Sequence, residues 1–164
     1  MKRQESKMKY CPLCANELTS TEKEGKAYLT CPDAGCGFIH WNNPVPVVAA
    51  IIELNDKILL VHNTSWPEKM LGLVSGFLDE KEAPNQAVQR EIKEELNLDT
   101  LEVKLVGVYP FEQMNQVIIA YHARCTGEIS LNEELDCYKL LGKSKLKPWN
   151  FGTGFAVRDW LESL

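Results

Sequence analysis

Three glutamates between positions 91 and 95 are the residues of this chain best suited to chemistry. On an α-helix of 3.6 residues per turn, Glu91 and Glu95 lie about one turn apart and Glu94 lies beside them, so the three carboxylates share one edge. Carboxylates crowded in this way repel one another unless water or a cation compensates their charge. Hard oxygen ligands of this type favour Mg²⁺ or Mn²⁺. A solvated acidic face is the ordinary alternative for a glutamate-rich helix.

A longer pattern around these glutamates favours the metal site. It begins at Gly76, places Glu82 after five intervening residues, and closes with the run Arg90-Glu91-Ile92-Lys93-Glu94-Glu95-Leu96-Asn97-Leu98. This segment resembles the Nudix box, the loop-helix-loop signature of the Nudix hydrolases. Every fixed position matches except the late glycine, which is Asn97 here. Because asparagine tolerates the left-handed conformation that ends a helix, we expect Asn97 to act as the helix cap.

The resemblance implies a role for each of these residues. Glu91, Glu94 and Glu95 would hold Mg²⁺ or Mn²⁺, with the backbone carbonyl of Gly76 as a further ligand. Arg90 would brace the carboxylates by ion pairing, which a planar guanidinium does well. The fourth acid of the box, Glu82, would orient the metal ligands or the arginine.

The residue that activates water is left open by the sequence. In related enzymes it is either a glutamate of the box or a carboxylate from a distant loop. Three glutamates fall in candidate loops here, namely Glu112, Glu133 and Glu134. Each is more often plain solvated surface, and we treat Glu133 and Glu134 as weak candidates for contact with substrate or water.

A second candidate metal site lies near the N-terminus. Cys11 and Cys14 form one close pair, and Cys31 and Cys36 follow after sixteen intervening residues. Two such pairs place four thiolates for a tetrahedral Zn²⁺ site, and about 30 residues could not otherwise bury a stable core. Because all four positions are cysteine, the site has no open coordination position, and we expect a structural zinc ribbon over residues 10–40. His40 is the alternative ligand, and unligated thiols are the alternative interpretation.

The ribbon and the box together resemble the zinc-ribbon branch of the Nudix hydrolases. That branch includes NADH pyrophosphatases and enzymes that act on ADP-ribose, FAD or nucleotide sugars. The NADH enzymes carry a Gln-Pro-Trp-Pro-Phe-Pro motif after the box, of which residues 108–113 of this chain hold only a partial echo. The late run Leu146-Lys147-Pro148-Trp149-Asn150, followed by Phe155, is instead similar to the ADP-ribose and FAD type.

The elements that must position these residues follow from the hydrophobic pattern. Val45–Leu54 and Lys57–His62 are apolar, β-branched runs separated by Asn55-Asp56, which predicts a hairpin. A strand over 71–77 leads to the glycine of the box, Pro84 opens the helix, and Val88, Ile92 and Leu96 form its buried stripe. Further strands are predicted over 101–109 and 116–126, a short strand within 131–141 after the acidic loop Asn132-Glu133-Glu134, and a helix over 155–164.

This order predicts an α/β fold. The resemblance implies the same architecture, a Nudix α/β/α sandwich with a mixed sheet over residues 45–164, preceded by the small zinc ribbon. Residues 1–9 are polar and are expected to form a disordered N-terminal tail.

Composition bounds the class of protein. The 164 residues are 45% hydrophobic and 25% charged, as in globular proteins, and the formal net charge of -5 argues against general affinity for nucleic acid. No stretch approaches the roughly 20 apolar residues of a membrane span, and the N-terminal segment lacks the apolar run of a signal peptide. We therefore expect a cytoplasmic protein that does not bind membranes.

Three aromatic residues are candidates to stack on an adenine ring, although core packing is the more common role for each. They are Phe111, Tyr121 and Trp149. Lys143, Lys145 and Lys147 could meet substrate phosphates, with a solvated loop as the ordinary explanation.

The leading functional hypothesis is a Mg²⁺- or Mn²⁺-dependent pyrophosphatase that splits ADP-ribose, a nucleotide sugar or FAD into two phosphate monoesters. An alternative keeps the chemistry and changes the substrate to NADH or NAD-capped RNA. An alternative of another class is a non-catalytic regulator that senses a nucleotide or binds nucleic acid. A homodimer is also expected, because relatives often dimerise.

Overall fold

The computed structural model describes residues 8–164. The chain divides after Pro44 into two compact units. Most of the predicted N-terminal tail, residues 1–7, lies outside the described residues. Between residues 8 and 164, no helix is long and apolar enough to cross a membrane.

The described part of the first unit is built on a small antiparallel sheet. Its strands, in spatial as well as chain order, are β1 (Thr19–Lys23), β2 (Lys26–Thr30) and β3 (Ile39–His40). The rings of Tyr28 and Trp41 meet edge to face with their centroids 5.2 Å apart. The cysteine pairs lie on the turns before β1 and between β2 and β3.

Residues 45–164 form a six-stranded mixed sheet with a helix on each face. The strands are β4 (Val45–Leu54), β5 (Lys57–Asn63), β6 (Val74–Phe77), β7 (Asp99–Phe111), β8 (Gln116–Thr126) and β9 (Leu135–Gly142), and the helices are α1 (Pro84–Leu96) and α2 (Gly154–Glu162). The sheet order is β7-β8-β4-β5-β9, with β6 paired to β4, and β4 runs parallel to β8. The predicted α/β fold with a mixed sheet between helices is confirmed.

The central strand β4 is buried on both faces. Val48, Ala50 and Ile52 pack in the core beneath α1, whereas Val47, Ala49 and Ile51 pack in the core beneath α2. Successive side chains of a strand point to opposite faces, so a strand covered on both sides carries a continuous apolar run. The same alternation divides β8, where Ile118 and Ala120 lie on the α2 face and Ala123 on the α1 face.

Two strands share one edge of β4. Ile52–Leu54 pair with β5, whereas residues 47–50 pair with β6. The sheet therefore splits along this edge, and β6 carries Gly76 to a position opposite Val48 on the face covered by α1.

Local sequence signals account for the turn and the helix ends. Asn55 and Asp56 adopt positive φ angles of 51° and 61°, as a two-residue hairpin turn of type I′ requires. Helix α1 begins at Pro84 and ends at Leu96. The next residue, Asn97, is its C-cap, which has φ 57° and ψ 19° and donates its N–H to the carbonyl of Lys93. The predicted asparagine cap is confirmed. The short strand predicted within 131–141, after the acidic loop, is β9, which begins at Leu135. In the loop before it, the Asn132 side chain accepts the N–H of Glu134 and holds a turn.

Candidate metal and catalytic site

The buried stripe of α1 fixes the rotation of the helix and therefore the direction of its acids. Val88, Ile92 and Leu96 are at most 1% exposed in the core. Glu95 lies beside this stripe and is 6% exposed, and the side chain of Glu91 is 13% exposed. The Glu94 side chain is 57% exposed and lies further toward solvent. The predicted row of carboxylates thus runs from the core margin of the helix to its surface.

Gly76 lies directly against this row. A Cβ atom at position 76 would overlap the carboxyl group of Glu91. Only a glycine lets the β6 backbone approach the helix this closely, which is the role that the sequence pattern suggests for the position.

Arg90 is the cation that organises the acids. Its Nε and Nη2 atoms donate to the two oxygens of Glu82 at 2.8 and 2.9 Å, a bidentate pair. Its Nη1 atom donates to Glu91 Oε1 at 2.8 Å and to Glu94 Oε2 at 3.0 Å. A further bond from Nη2 to the Phe77 carbonyl, 3.0 Å long, joins the arginine to β6. The structure therefore brings Glu82, Arg90, Glu91 and Glu94 into one network.

Glu82 serves this network from outside the row. Hydrogen bonds from Arg90, together with the backbone N–H of Asp79, hold the pKa of Glu82 at about 2. Its carboxylate is consequently ionised and committed to the arginine. That arrangement agrees with a residue that orients Arg90 instead of binding a cation itself.

Glu95 has no such compensation. Burial, and then repulsion from Glu91, Glu134 and Glu94, raises the pKa of Glu95 to about 8. Burial likewise raises the pKa of Glu91 although Arg90 opposes the shift. Within residues 8–164, no lysine, arginine or histidine forms an ion pair with Glu95. This corner of the site therefore lacks the positive charge that a divalent cation would supply.

Glu134, one of the two loop glutamates, acts electrostatically on this corner. The charge of Glu134 contributes, after burial, to the raised pKa values of both Glu91 and Glu95. The loop is tied to the helix because the Asn132 N–H donates to the Glu95 carbonyl at 3.1 Å. Glu133 and Glu134 are both exposed. The effect of the Glu134 charge on two acids of α1 is a relation that spacing in the sequence could not reveal.

The three aromatic candidates pack against the two cores. Tyr121 lies against the core beneath α1, whereas Phe111 and Trp149 lie against the core beneath α2. All three are partly exposed. Their predicted contact with adenine remains a prediction.

The four predicted zinc ligands converge in the first unit. The sulfur atoms of Cys11, Cys14, Cys31 and Cys36 all lie within 4.8 Å of one another, with Cys11–Cys36 at 3.6 Å and Cys14–Cys31 at 3.4 Å. Zinc–sulfur bonds of about 2.3 Å in a tetrahedron place the sulfurs about 3.8 Å apart, so the donor set and its spacing fit Zn²⁺. Gly37 has φ 66°, the left-handed conformation that such a turn needs.

The opposite face of the sheet holds a polar cluster that the sequence did not predict. Glu53 accepts a hydrogen bond from His122 Nε2 at 2.8 Å and forms an ion pair with Lys143 Nζ at 2.8 Å. The ring of His122 also lies over Trp160, with the centroids 5.0 Å apart. A lone acid in the apolar run of β4 is the sequence signal that could have indicated it. Lys143, a predicted phosphate contact, is engaged in this cluster.

The comparisons with known proteins agree with this geometry. The sequence profile of the NUDIX domain matches residues 43–153. The NAD-capped RNA hydrolase NudC of Vibrio atlanticus is 27% identical over 122 residues, which are 73% of this chain and 43% of that protein. The chain spans less than half the length of this curated relative.

Solved structures show the same fold. A NUDIX hydrolase from Nitrosomonas europaea superposes with a TM-score of 0.78 and 27% identity, over 95% of this chain and 92% of that one. An ADP-ribose pyrophosphatase from Streptococcus suis gives a TM-score of 0.61 and 24% identity, over 74% and 92% of the two chains. Since the domain profile covers most of the chain and the structure assembles the box residues around one helix, this chain belongs to the Nudix family.

Proposed function

We propose that this protein is a metal-dependent diphosphatase that hydrolyses the diphosphate in a nucleoside diphosphate linked to another moiety, such as ADP-ribose, a nucleotide sugar or FAD. The observation that carries the proposal is a row of carboxylates whose most buried member, Glu95, has no cationic partner among the described residues. Membership of the Nudix family supports the same reaction class.

In the proposed reaction, Glu91, Glu94 and Glu95 would hold Mg²⁺ or Mn²⁺ together with the carbonyl of Gly76. A divalent cation bound there would neutralise the diphosphate and lower the pKa of a coordinated water. Arg90 keeps Glu91 and Glu94 in place through the bonds at 2.8 and 3.0 Å. Water then adds to one phosphorus as the P–O–P bridge breaks, which gives two phosphate monoesters.

Glu134 is the candidate to accept the proton of the attacking water. It lies in a loop that is bonded to the Glu95 carbonyl through Asn132, and its charge acts on both Glu91 and Glu95. A carboxylate outside the Arg90 network is free to take up a proton, whereas Glu82 is held ionised by that arginine.

The four-cysteine cluster is proposed to hold a structural Zn²⁺, because four thiolates leave no open coordination position. Residence in the cytoplasm and assembly as a homodimer remain predictions from the sequence. Sedimentation equilibrium would decide the assembly directly through the mass in solution.

A second substrate class deserves testing because the curated relative is named as a NAD-capped RNA hydrolase. NADH and NAD-capped RNA contain the same diphosphate as ADP-ribose, so the metal site does not distinguish them. The substrate must be selected by residues outside the box. A non-catalytic nucleotide sensor would bind these molecules without releasing products.

A phosphate-release panel tests the proposal. ADP-ribose, FAD, nucleotide sugars, NADH and NAD-capped RNA are each incubated with Mg²⁺, with Mn²⁺ or without added metal, and phosphomonoesters are detected after phosphatase treatment. Turnover should require the metal and should fall at least about 100-fold in Glu95→Gln, which removes a ligand charge and keeps the shape. Glu80→Gln is the matched control, because Glu80 is 84% exposed and pairs only with Lys81 among the described residues. Binding without turnover of any substrate would favour the sensor.

A further inference from the structure

His62 is a buried histidine outside the carboxylate row. It lies near the end of β5 and is 6% exposed. Its Nδ1 atom is 2.7 Å from Asp136 Oδ1, and its Nε2 atom is 3.1 Å from the carbonyl oxygen of Pro67. A register shift between His62 and Asn63 produces the bulge that brings β9 residues 136 and 137 to this histidine.

Both ring nitrogens of His62 face hydrogen-bond acceptors. A neutral imidazole has one N–H donor and one lone pair, so one of these two contacts would set a lone pair against an acceptor. Only the imidazolium donates from both nitrogens. The hydrogen bond with Asp136 is the largest of the effects that raise the pKa of His62, and burial opposes it.

The titratable groups that face this ring are acidic or neutral. Asp136 and Cys137 approach from β9, and Glu68 acts from the loop after β5. The ligand atoms of His62, Asp136 and Cys137 also lie within 4.8 Å of one another, a grouping that could suggest a metal site. A metal ligand must present a nitrogen lone pair, however, and both nitrogens point to acceptors at hydrogen-bonding distance. The geometry therefore fits a histidine with a proton on each ring nitrogen better than a histidine that binds a metal ion.

Two links join the end of β5 and the residue after it, residues 62–64, to the start of β9 and the residue before it, residues 134–136. The side chains of His62 and Asp136 form the first link. Two residues further along the first segment, the Thr64 N–H donates to the carbonyl of Glu134 at 2.8 Å. Glu134 in turn donates its own N–H to Asn132 Oδ1 at 3.0 Å. The backbone of Glu134 is therefore held on one side by the helix-bound loop and on the other by the segment that His62 anchors.

We propose that His62 is a positively charged positioning residue, which clamps Asp136 and the Pro67 carbonyl and thereby holds the backbone of Glu134 in the loop that is bonded to α1. The role of Glu134 in hydrolysis rests on the proposed function, whereas the charge of His62 and the clamp do not. Because the protonated ring makes both contacts, the clamp is intact below the pKa of His62 in the folded protein and loosens as the pH rises through it.

Nitrogen-15 NMR of the histidine rings tests the charge directly. The chain has three histidines, so single His→Gln variants assign every ring signal. We expect both nitrogens of His62 to be protonated at neutral pH and its midpoint to lie above the ordinary histidine value near 6.5. His122 is an internal reference, since burial lowers its pKa. A His62 ring with one unprotonated nitrogen at neutral pH would overturn the proposal.

Amide exchange at Thr64 tests the clamp without any substrate. His62→Gln removes the charge and cannot donate to both acceptors, so protection of the Thr64 amide should fall about tenfold. In Asp136→Asn the histidine remains and its midpoint moves to lower pH, so this variant should match the wild type in acid and lose protection earlier as the pH rises. Asp136→Asn also tests the clamp if His62→Gln does not fold. Asp56→Asn is the control, because it makes the same change at an exposed turn whose carboxylate pairs with no other described residue.

Turnover tests the consequence for Glu134. The alkaline limb of kcat/KM should move to lower pH in Asp136→Asn and stay in place in Asp56→Asn, and His62→Gln should reduce kcat/KM about 10-fold at neutral pH. A purely structural role would not move the pH profile. An unchanged alkaline limb and unchanged Thr64 exchange in Asp136→Asn would refute the clamp. A charged, clamped His62 in a protein that hydrolyses no diphosphate would refute the proposed function instead.

Discussion

Two glutamates lie on opposite faces of the central sheet, Glu53 on strand β4 and Glu95 on helix α1, and their surroundings differ in one respect. Glu53, whose side chain is 11% exposed, is compensated by Lys143 and His122, each at 2.8 Å. Although burial disfavours its charge, these partners lower the pKa of Glu53. Glu95, 6% exposed, forms no ion pair with a cation of residues 8–164, and burial, with repulsion from other acids, raises its pKa to about 8. The protein itself supplies cationic partners for Glu53, whereas it supplies none for Glu95 among the described residues.

From this difference we interpret Glu53 as a structural acid and propose Glu95 as a functional one. A buried carboxylate that is paired with a cation of the protein favours one particular packing, which here is the packing of α2 on the sheet. A buried carboxylate without a cation destabilises the fold and persists where a ligand supplies the missing charge. The fixed cation nearest to the row, Arg90, is committed to Glu82, Glu91 and Glu94 and forms no ion pair with Glu95.

The largest effect is expected from Gly76→Ala. The added methyl group would occupy the space of the Glu91 carboxyl group, which is the mobile end of a side chain and can move aside. The fold should therefore survive while the row loses its geometry, and turnover should fall at least about 100-fold. Circular dichroism and thermal unfolding would verify folding. Full turnover in the alanine variant would show that Glu91 does not need this position.

The opposite face should respond through stability and not through turnover. Glu53→Gln leaves Lys143 without its carboxylate and should reduce the free energy of unfolding by about 2 kcal/mol, as for other hydrogen bonds to charged groups. Urea unfolding at neutral pH measures the loss. A variant that kept its stability and lost turnover would place Glu53 in the machinery and break the comparison.

The pH dependence of stability follows from the lowered pKa of Glu53. An acid with a depressed folded pKa contributes stability above its unfolded pKa, and that contribution disappears as the pH falls through the folded value. The stability difference between wild type and Glu53→Gln should therefore be constant near neutral pH and shrink below about 4.5. Comparing the two proteins at each pH cancels acid effects on the cysteine cluster. A difference that widened in acid would contradict the assignment.

The smallest effect concerns the end of the helix that carries the row. Asn97 has φ 57°, a conformation that alanine adopts at a cost of about 1 kcal/mol and glycine adopts freely. Asn97→Ala should lose more stability than Asn97→Gly in chemical unfolding, and both should retain turnover. Equal losses would indicate that the conformation is not what the position requires.

Local features of the fold were predictable because they depend on neighbours in sequence. The turn at Asn55-Asp56, the buried stripe of α1 and the cap at Asn97 each follow from a few adjacent residues, and the structure contains all of them. The proximity of the box residues was predictable for the same reason, since one helix carries most of them.

Interactions between distant residues were not predictable. His122 meets Glu53 across 69 positions, and His62 meets Asp136 across 74. Alternation along a strand indicates which face a side chain occupies, but not which strand lies beside it or where a bulge shifts the register. The same limit explains why Glu133 and Glu134 could not be distinguished before the loop was placed against α1.

Manganese binding tests most directly whether the uncompensated acid marks a cation site. Electron paramagnetic resonance of free Mn²⁺ during titration gives the affinity of the wild type, Glu53→Gln and Glu95→Gln without any substrate. Wild type and Glu53→Gln should bind Mn²⁺ equally, and Glu95→Gln should bind at least about 10-fold more weakly. Equal affinity in Glu95→Gln, or a loss confined to Glu53→Gln, would contradict the assignment of the metal site to the carboxylate row of α1.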